Sequence, residues 1–153
     1  MSDKENTNSN NVEATALPDV DLSVASSFVA AAGLVVDEAS GTCVRGYIDL
    51  GPEHHTPWGV VHGGVYTTAV ESAASIGASV AVADRGQFAV GLHNATDLLR
   101  ASTGGQASVF AEPFHQGRTQ QLWAVTIRDE RQRQLARGQV RLQNVDRAQF
   151  HGS

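Results

Sequence analysis

The longest unbroken pattern of apolar positions runs from His62 to about Ala83. There Val65, Ala69, Ala73, Ile76 and Val80 recur at i, i+4, i+8, i+11 and i+15, one stripe of a helix. Ala73, Ala74, Gly77, Ala78 and Ala81 keep that helix slim, so that it can lie close against a curved sheet or a second helix. Upstream, residues 22–32 read as a short helix stopped by Gly33, followed by an extended stretch over 34–37. Residues 42–50 alternate, with Val44, Gly46, Ile48 and Leu50 on one side and Arg45, Tyr47 and Asp49 on the other. Residues 51–59, with two prolines and two histidines, form a loop. Beyond the helix, strands are predicted at about 88–99, 106–116, 119–128 and 134–145, with turn signals between them. One strand, one long helix and four antiparallel strands predict a single α+β domain, an antiparallel sheet wrapped around one central helix.

Composition narrows this picture. The first 18 residues are polar and poor in bulky apolar side chains, so disorder is expected there, a domain over 19–147 and a flexible C-terminus over 148–153. Cys43 is the only cysteine, which excludes a disulfide framework, and no run approaches the ~20 apolar residues of a membrane span. The N-terminus is not a secretory signal, so a cytoplasmic protein is expected. A net charge of -5 argues against general nucleic-acid binding. The basic residues are nonetheless concentrated late: residues 98–153 hold eight arginines against four acids, and guanidinium forks suit phosphate.

Glu71 is the only charged side chain between Glu53 and Asp84. An ionised carboxylate removed from water costs several kcal/mol unless paired, hydrogen-bonded or solvated through an opening, so a lone acid in an apolar helix points to a reaction centre. It follows Gly59-Val60-Val61-His62-Gly63-Gly64, nine residues after the histidine. That run with its acid resembles the hot-dog-fold acyl-CoA thioesterases of the phenylacetate-pathway and 4-hydroxybenzoyl-CoA type. The segments 90–94, 97–100 and 111–119 are similar to the corresponding strands and turn of that family, and the likeness covers roughly residues 30–145.

The resemblance implies hydrolysis of a CoA thioester to free acid and CoA. That reaction needs a polariser for the carbonyl oxygen and a base or nucleophile at the carbonyl carbon. Gly63 and Gly64 open the helix with unshielded N–H groups at the positive end of its dipole. Glu71 is the nucleophile or the general base. Eight residues of helix separate Gly63 from Glu71, about 12 Å at ~1.5 Å per residue, whereas both must lie within about 3–3.5 Å of one reacting group. One thioester served by both therefore requires two subunits across a two-fold axis. The family implies the same dimer, or a dimer of dimers.

Ser75 sits one turn beyond Glu71 on the same face, where the resemblance implies a Ser or Thr helper; a hydroxyl bonded to its own helix is the plainer reading. His62 positions the loop, contacts substrate or caps the helix. Thr56 stands where related enzymes often carry Gln or Asn that helps hold the thioester carbonyl, and being shorter it leaves His54 or His55 to compensate. For the CoA end the resemblance points to Arg100, Arg118 and Thr119; Arg141 and Arg147 are weaker candidates, and Trp123 reads as core. Asn94 either bonds the active-site loop or satisfies a neighbouring backbone group. No metal is predicted, and no cofactor beyond the CoA of the substrate. Two other readings stay open: a non-catalytic acyl-CoA-binding or regulatory module, and a dehydratase or hydratase, which would need an Asp and His pair that the chain does not display.

Overall fold

The computed structural model describes residues 20–150. The disorder expected over 1–18 and the last three residues of the expected flexible C-terminus lie outside the described residues. The helix predicted over 22–32 is split in two, a single 3-10 turn at Leu22–Val24 and a helix α1 at Ser27–Ala32. Ser26 makes the break, because its hydroxyl accepts the Val29 N–H and starts α1 afresh.

Two strands precede the long helix, where the sequence reading counted one. β1 (Leu34–Ala39) pairs antiparallel with β2 (Val44–Leu50), and a register shift between Val36 and Glu38 breaks the two-residue period that would have marked β1 as a strand. The long helix, α2, spans Gly63–Val82 with His62 as its N-cap. β3 (Gln87–Leu98), β4 (Gly105–Gln116), β5 (Gln120–Arg128) and β6 (Gln134–Asp146) follow, close to the predicted bounds. All six strands form one sheet in the order β1-β2-β4-β5-β6-β3, every neighbour antiparallel, leaving β1 and β3 at the edges. A last 3-10 turn at Arg147–Gln149 brings the Phe150 ring edge-on to Phe88, 5.3 Å between centroids.

The core lies between α2 and the sheet. The residues of α2 that vanish from solvent are Tyr66, Ala69, Val70, Ala73, Ala74, Gly77, Ala78 and Val82, so the buried stripe is rotated from the predicted one; Val65, Ile76 and Val80 flank it half-buried. The reason is volume. Trp123 from β5 is fully buried and its indole occupies the space that a Cβ at Gly77 would need, so only the smallest side chains fit on the line of contact. Of the two neighbours that a slim helix allows, the structure uses the chain's own sheet. Tyr66 is the exception in size: its hydroxyl is buried beside Ser102 but outside hydrogen-bonding geometry. Burial raises the Tyr66 phenol above its ordinary pKa, and the Ser102 hydroxyl offsets only part of that rise. No helix among the described residues is long and apolar enough to cross a membrane.

Candidate active site

Glu71 lies in the middle of α2, half-buried and without an ion pair among the described residues. Its carboxylate leans on β3. Asn94 Nδ2 donates to Glu71 Oε2 at 2.9 Å and to the Thr67 carbonyl at 3.3 Å, while Asn94 Oδ1 accepts from Thr96 Oγ1 at 2.7 Å. A carboxylate and a carbonyl only accept, so these partners set which way the amide faces. The second carboxylate oxygen, Oε1, fills the space that a side chain at Gly91 would take, and no hydrogen bond reaches it among the described residues. A bulge between Gly91 and His93 in the pairing with β6 bends the strand beside this contact. The result is a carboxylate with one oxygen held and the other uncommitted.

At the start of α2 the two glycines differ. His62 Nδ1 accepts the Gly64 N–H at 2.8 Å, and Val65 N–H bonds the His62 carbonyl at 3.0 Å, whereas the Gly63 N–H has no partner among the described residues. Capping therefore consumes one of the two donors expected there and leaves the other, with the helix dipole behind it. Gly63 packs against the Leu98 side chain near the far end of β3 from Gly91, so the Gly63 N–H and the Glu71 carboxylate of one chain face different parts of that strand.

The remaining candidates divide sharply. Ser75 is half-buried one turn beyond Glu71, but the hydrogen bond to the carboxylate comes from Asn94. Thr56 closes its own loop: its N–H bonds the Val60 carbonyl at 2.7 Å and its hydroxyl accepts the Trp58 N–H at 3.3 Å. His54 and His55 are committed to the backbone. The buried His54 ring accepts the Gly51 N–H at 3.2 Å and meets the Ala31 carbonyl at 3.0 Å, and His55 meets the Thr103 carbonyl at 2.8 Å. Both nitrogens of the His54 ring are thus engaged, while His55 Nδ1 has no partner among the described residues. No cluster of metal-ligating side chains occurs among the described residues.

Arg100 and Arg118 are both exposed and sit at opposite ends of the sheet. Arg100 follows Leu98, which pairs with Ala136; the Arg118–Thr119 turn is tied to Asn144, which pairs with Ala89. Along β6 those levels, Asn144 and Ala136, are eight residues apart, about 26 Å at ~3.3 Å each. Arg118 thus lies on the Glu71 side of the chain and Arg100 on the Gly63 side. Trp123 is core, as expected. Sequence reasoning missed Thr96 and Gly91 and left Asn94 undecided. A glycine inside an apolar strand pattern, as in Val90-Gly91-Leu92, was the available signal, because it marks a close approach to the backbone.

Over residues 59–136 the chain matches the thioesterase superfamily. It belongs to that superfamily. A Mycobacterium tuberculosis relative named as an esterase (Rv1847) is 42% identical over 127 residues, covering 82% of this chain and 91% of that one. The solved structure of that protein superposes with a TM-score of 0.75 at 44% identity, over 78% of this chain and 96% of the other. The 1,4-dihydroxy-2-naphthoyl-CoA hydrolase of Listeria monocytogenes is 35% identical over 81 residues, 53% of this chain and 65% of that protein. The domain is a hot-dog fold, and this thioesterase superfamily member is a thioester hydrolase.

Proposed function

We propose that the protein hydrolyses an acyl-CoA thioester at a site shared by two subunits, Glu71 of one acting with the Gly63 N–H of the other. The observation that carries this reading is the pairing of an uncommitted carboxylate oxygen with an uncommitted helix-end N–H, set about 12 Å apart along one helix. The Gly63 N–H stabilises the oxyanion while Glu71 attacks the carbonyl carbon or takes a proton from water that does. The ends of the sheet support the same assembly. A thioester between the two subunits has Arg100 on the side of the chain that lends Gly63, and Arg118 with Thr119 on the side of the chain that lends Glu71. The CoA moiety named for the Listeria relative supports a CoA ester here. In this reading His62 caps and holds the polarising end, and Ser75, one turn beyond Glu71, assists an attacking water.

The test is a panel of CoA esters with two lesions. Glu71→Ala is expected to lower kcat/KM by about a thousandfold or more; unchanged turnover in a folded variant would remove Glu71 from the mechanism. Gly63→Ala displaces the Leu98 methyl that lies on the Cβ position but keeps the N–H; against that control Gly63→Pro deletes the N–H at the first helical position, where extended His62 (φ -67°, ψ 132°) suits a following proline. It is expected to cost about a hundredfold in kcat. Co-refolding the two dead variants should restore about a quarter of wild-type activity, because half the dimers are mixed and each mixed dimer has one intact site. No recovery would place both groups in one chain.

A further inference from the structure

Beneath the turn between β4 and β5 lies a chain of buried side-chain amides. Gln121, 1% exposed, accepts from Trp123 Nε1 at 2.9 Å through its Oε1. An indole N–H only donates, so this bond decides the orientation of the amide. Gln121 Nε2 is then directed to the Ala78 carbonyl of α2 at 2.9 Å and to Asn144 Oδ1 at 2.8 Å. With its oxygen engaged, Asn144 turns Nδ2 to two successive carbonyls, Gly117 at 3.2 Å and Arg118 at 3.1 Å, and its own N–H bonds the Thr119 carbonyl at 2.8 Å. Three consecutive carbonyls of the turn are thereby drawn inward.

The consequence follows from the planarity of the peptide unit. Every peptide bond described is trans, so each carbonyl points opposite to the N–H of the next residue. Drawing in the carbonyls of Gly117 and Arg118 turns the N–H groups of Arg118 and Thr119 outward, and neither donates to any group among the described residues. Two guanidinium groups lie beside the turn. Arg118 and Arg85 line a cavity of about 220 Å³ between this turn and the end of α2, no carboxylate lines it, and neither arginine has an ion pair among the described residues. Adjacent outward N–H groups with guanidinium neighbours suit a phosphate.

We propose that Asn144, aligned by Gln121, is a positioning residue for phosphate recognition, and that Arg85 is a second guanidinium at the same place. This rests on the acyl-CoA reading, which assigns Arg118 and Thr119 to the CoA end. Asn144 never touches the ligand. It holds the turn in the one arrangement that presents two backbone donors, so binding does not have to order them.

The experiment compares wild type, Asn144→Ala, Asn144→Asp and Arg85→Ala on an acyl-CoA and on the matching acyl-pantetheine, which lacks the nucleotide phosphates. Binding of adenosine 3′,5′-bisphosphate is titrated alongside by calorimetry. Asn144→Asp keeps the volume and the acceptor for Gln121 but sets a carboxylate oxygen against the turn carbonyls, and Arg85→Ala, at an exposed side chain, reports even where neither Asn144 variant folds. Expected is a drop of about tenfold in the ratio of acyl-CoA to acyl-pantetheine kcat/KM, carried by KM, with a matching loss of bisphosphate affinity. Arg85→Ala should move the same ratio by a smaller factor. An unchanged ratio with unchanged bisphosphate affinity, or equal losses on both esters, overturns the proposal. If wild type cleaves neither ester, it is the acyl-CoA reading that fails, and the bisphosphate titration still decides whether the turn is a phosphate site.

Discussion

Asn94 and Asn144 lie on neighbouring strands and are asked to do different things with the same amide. Asn94, half-buried on edge strand β3, is aligned by one hydroxyl and spends a donor on a charged side chain. Asn144, buried on β6, is aligned through Gln121 by an indole and spends its donors on main chain. The first leaves its target able to move, because a glutamate has rotatable bonds and only one of its oxygens is held. The second leaves almost nothing free. Under the proposed function, a group that changes partners during the reaction is held by one bond, and a surface that must be ready before the ligand arrives is braced from the core.

The comparison can be broken most severely at Gly91. A methyl group there occupies the position of Glu71 Oε1, the far end of a flexible side chain, so the carboxylate moves aside and the fold does not. Gly91→Ala is expected to lower kcat about a hundredfold while stability changes by less than about 1 kcal/mol, read from turnover and thermal melting together. Asn94→Ala removes the single bond to Oε2 and should cost about tenfold in kcat with little change in KM. Thr96→Val keeps the shape and frees the Asn94 amide to rotate; a fewfold loss, about three, is expected, and none at all would show that Thr96 aligns nothing. Tyr66→Phe acts on stability alone. Deleting a buried hydroxyl that has no hydrogen-bond partner among the described residues should raise stability by up to about 1 kcal/mol with turnover unchanged. The sign with pH is defined: a phenol whose pKa is raised on folding destabilises the fold as pH climbs through its titration, so stability is intact below about pH 10 and lost above it. The phenylalanine variant should lack that alkaline loss in a pH series of melts.

Much of the architecture was legible because it rests on period. β6 alternates cleanly and α2 is long, so their bounds were recovered within two residues. β1 was read as an extended stretch over 34–37 but not counted among the strands, since a bulge and the acidic pair Asp37-Glu38 interrupt its alternation. The buried stripe of α2 was misplaced because hydrophobic spacing weights valine and isoleucine, whereas contact with Trp123 selects alanine and glycine. At the candidate site, Glu71 and Gly63 stood out by being odd in their surroundings, a lone acid and a side-chain-free helix start. The residues that aim them did not. Asn94, Thr96 and Gly91 act across the packing of a strand on a helix, through distances that spacing along one chain does not encode, and Asn144 acts from β6 on the turn between β4 and β5.

The indole of Trp123 has a use beyond packing. The chain holds two tryptophans, one fully buried and bonded to Gln121, the other, Trp58, 85% exposed on its loop. An aqueous quencher such as iodide silences the second and spares the first. What remains is emission from the ring that sits at the head of the amide chain leading to the Arg118 turn. A change in its wavelength on adding adenosine 3′,5′-bisphosphate would report, without any label, whether strain at that turn is felt in the core.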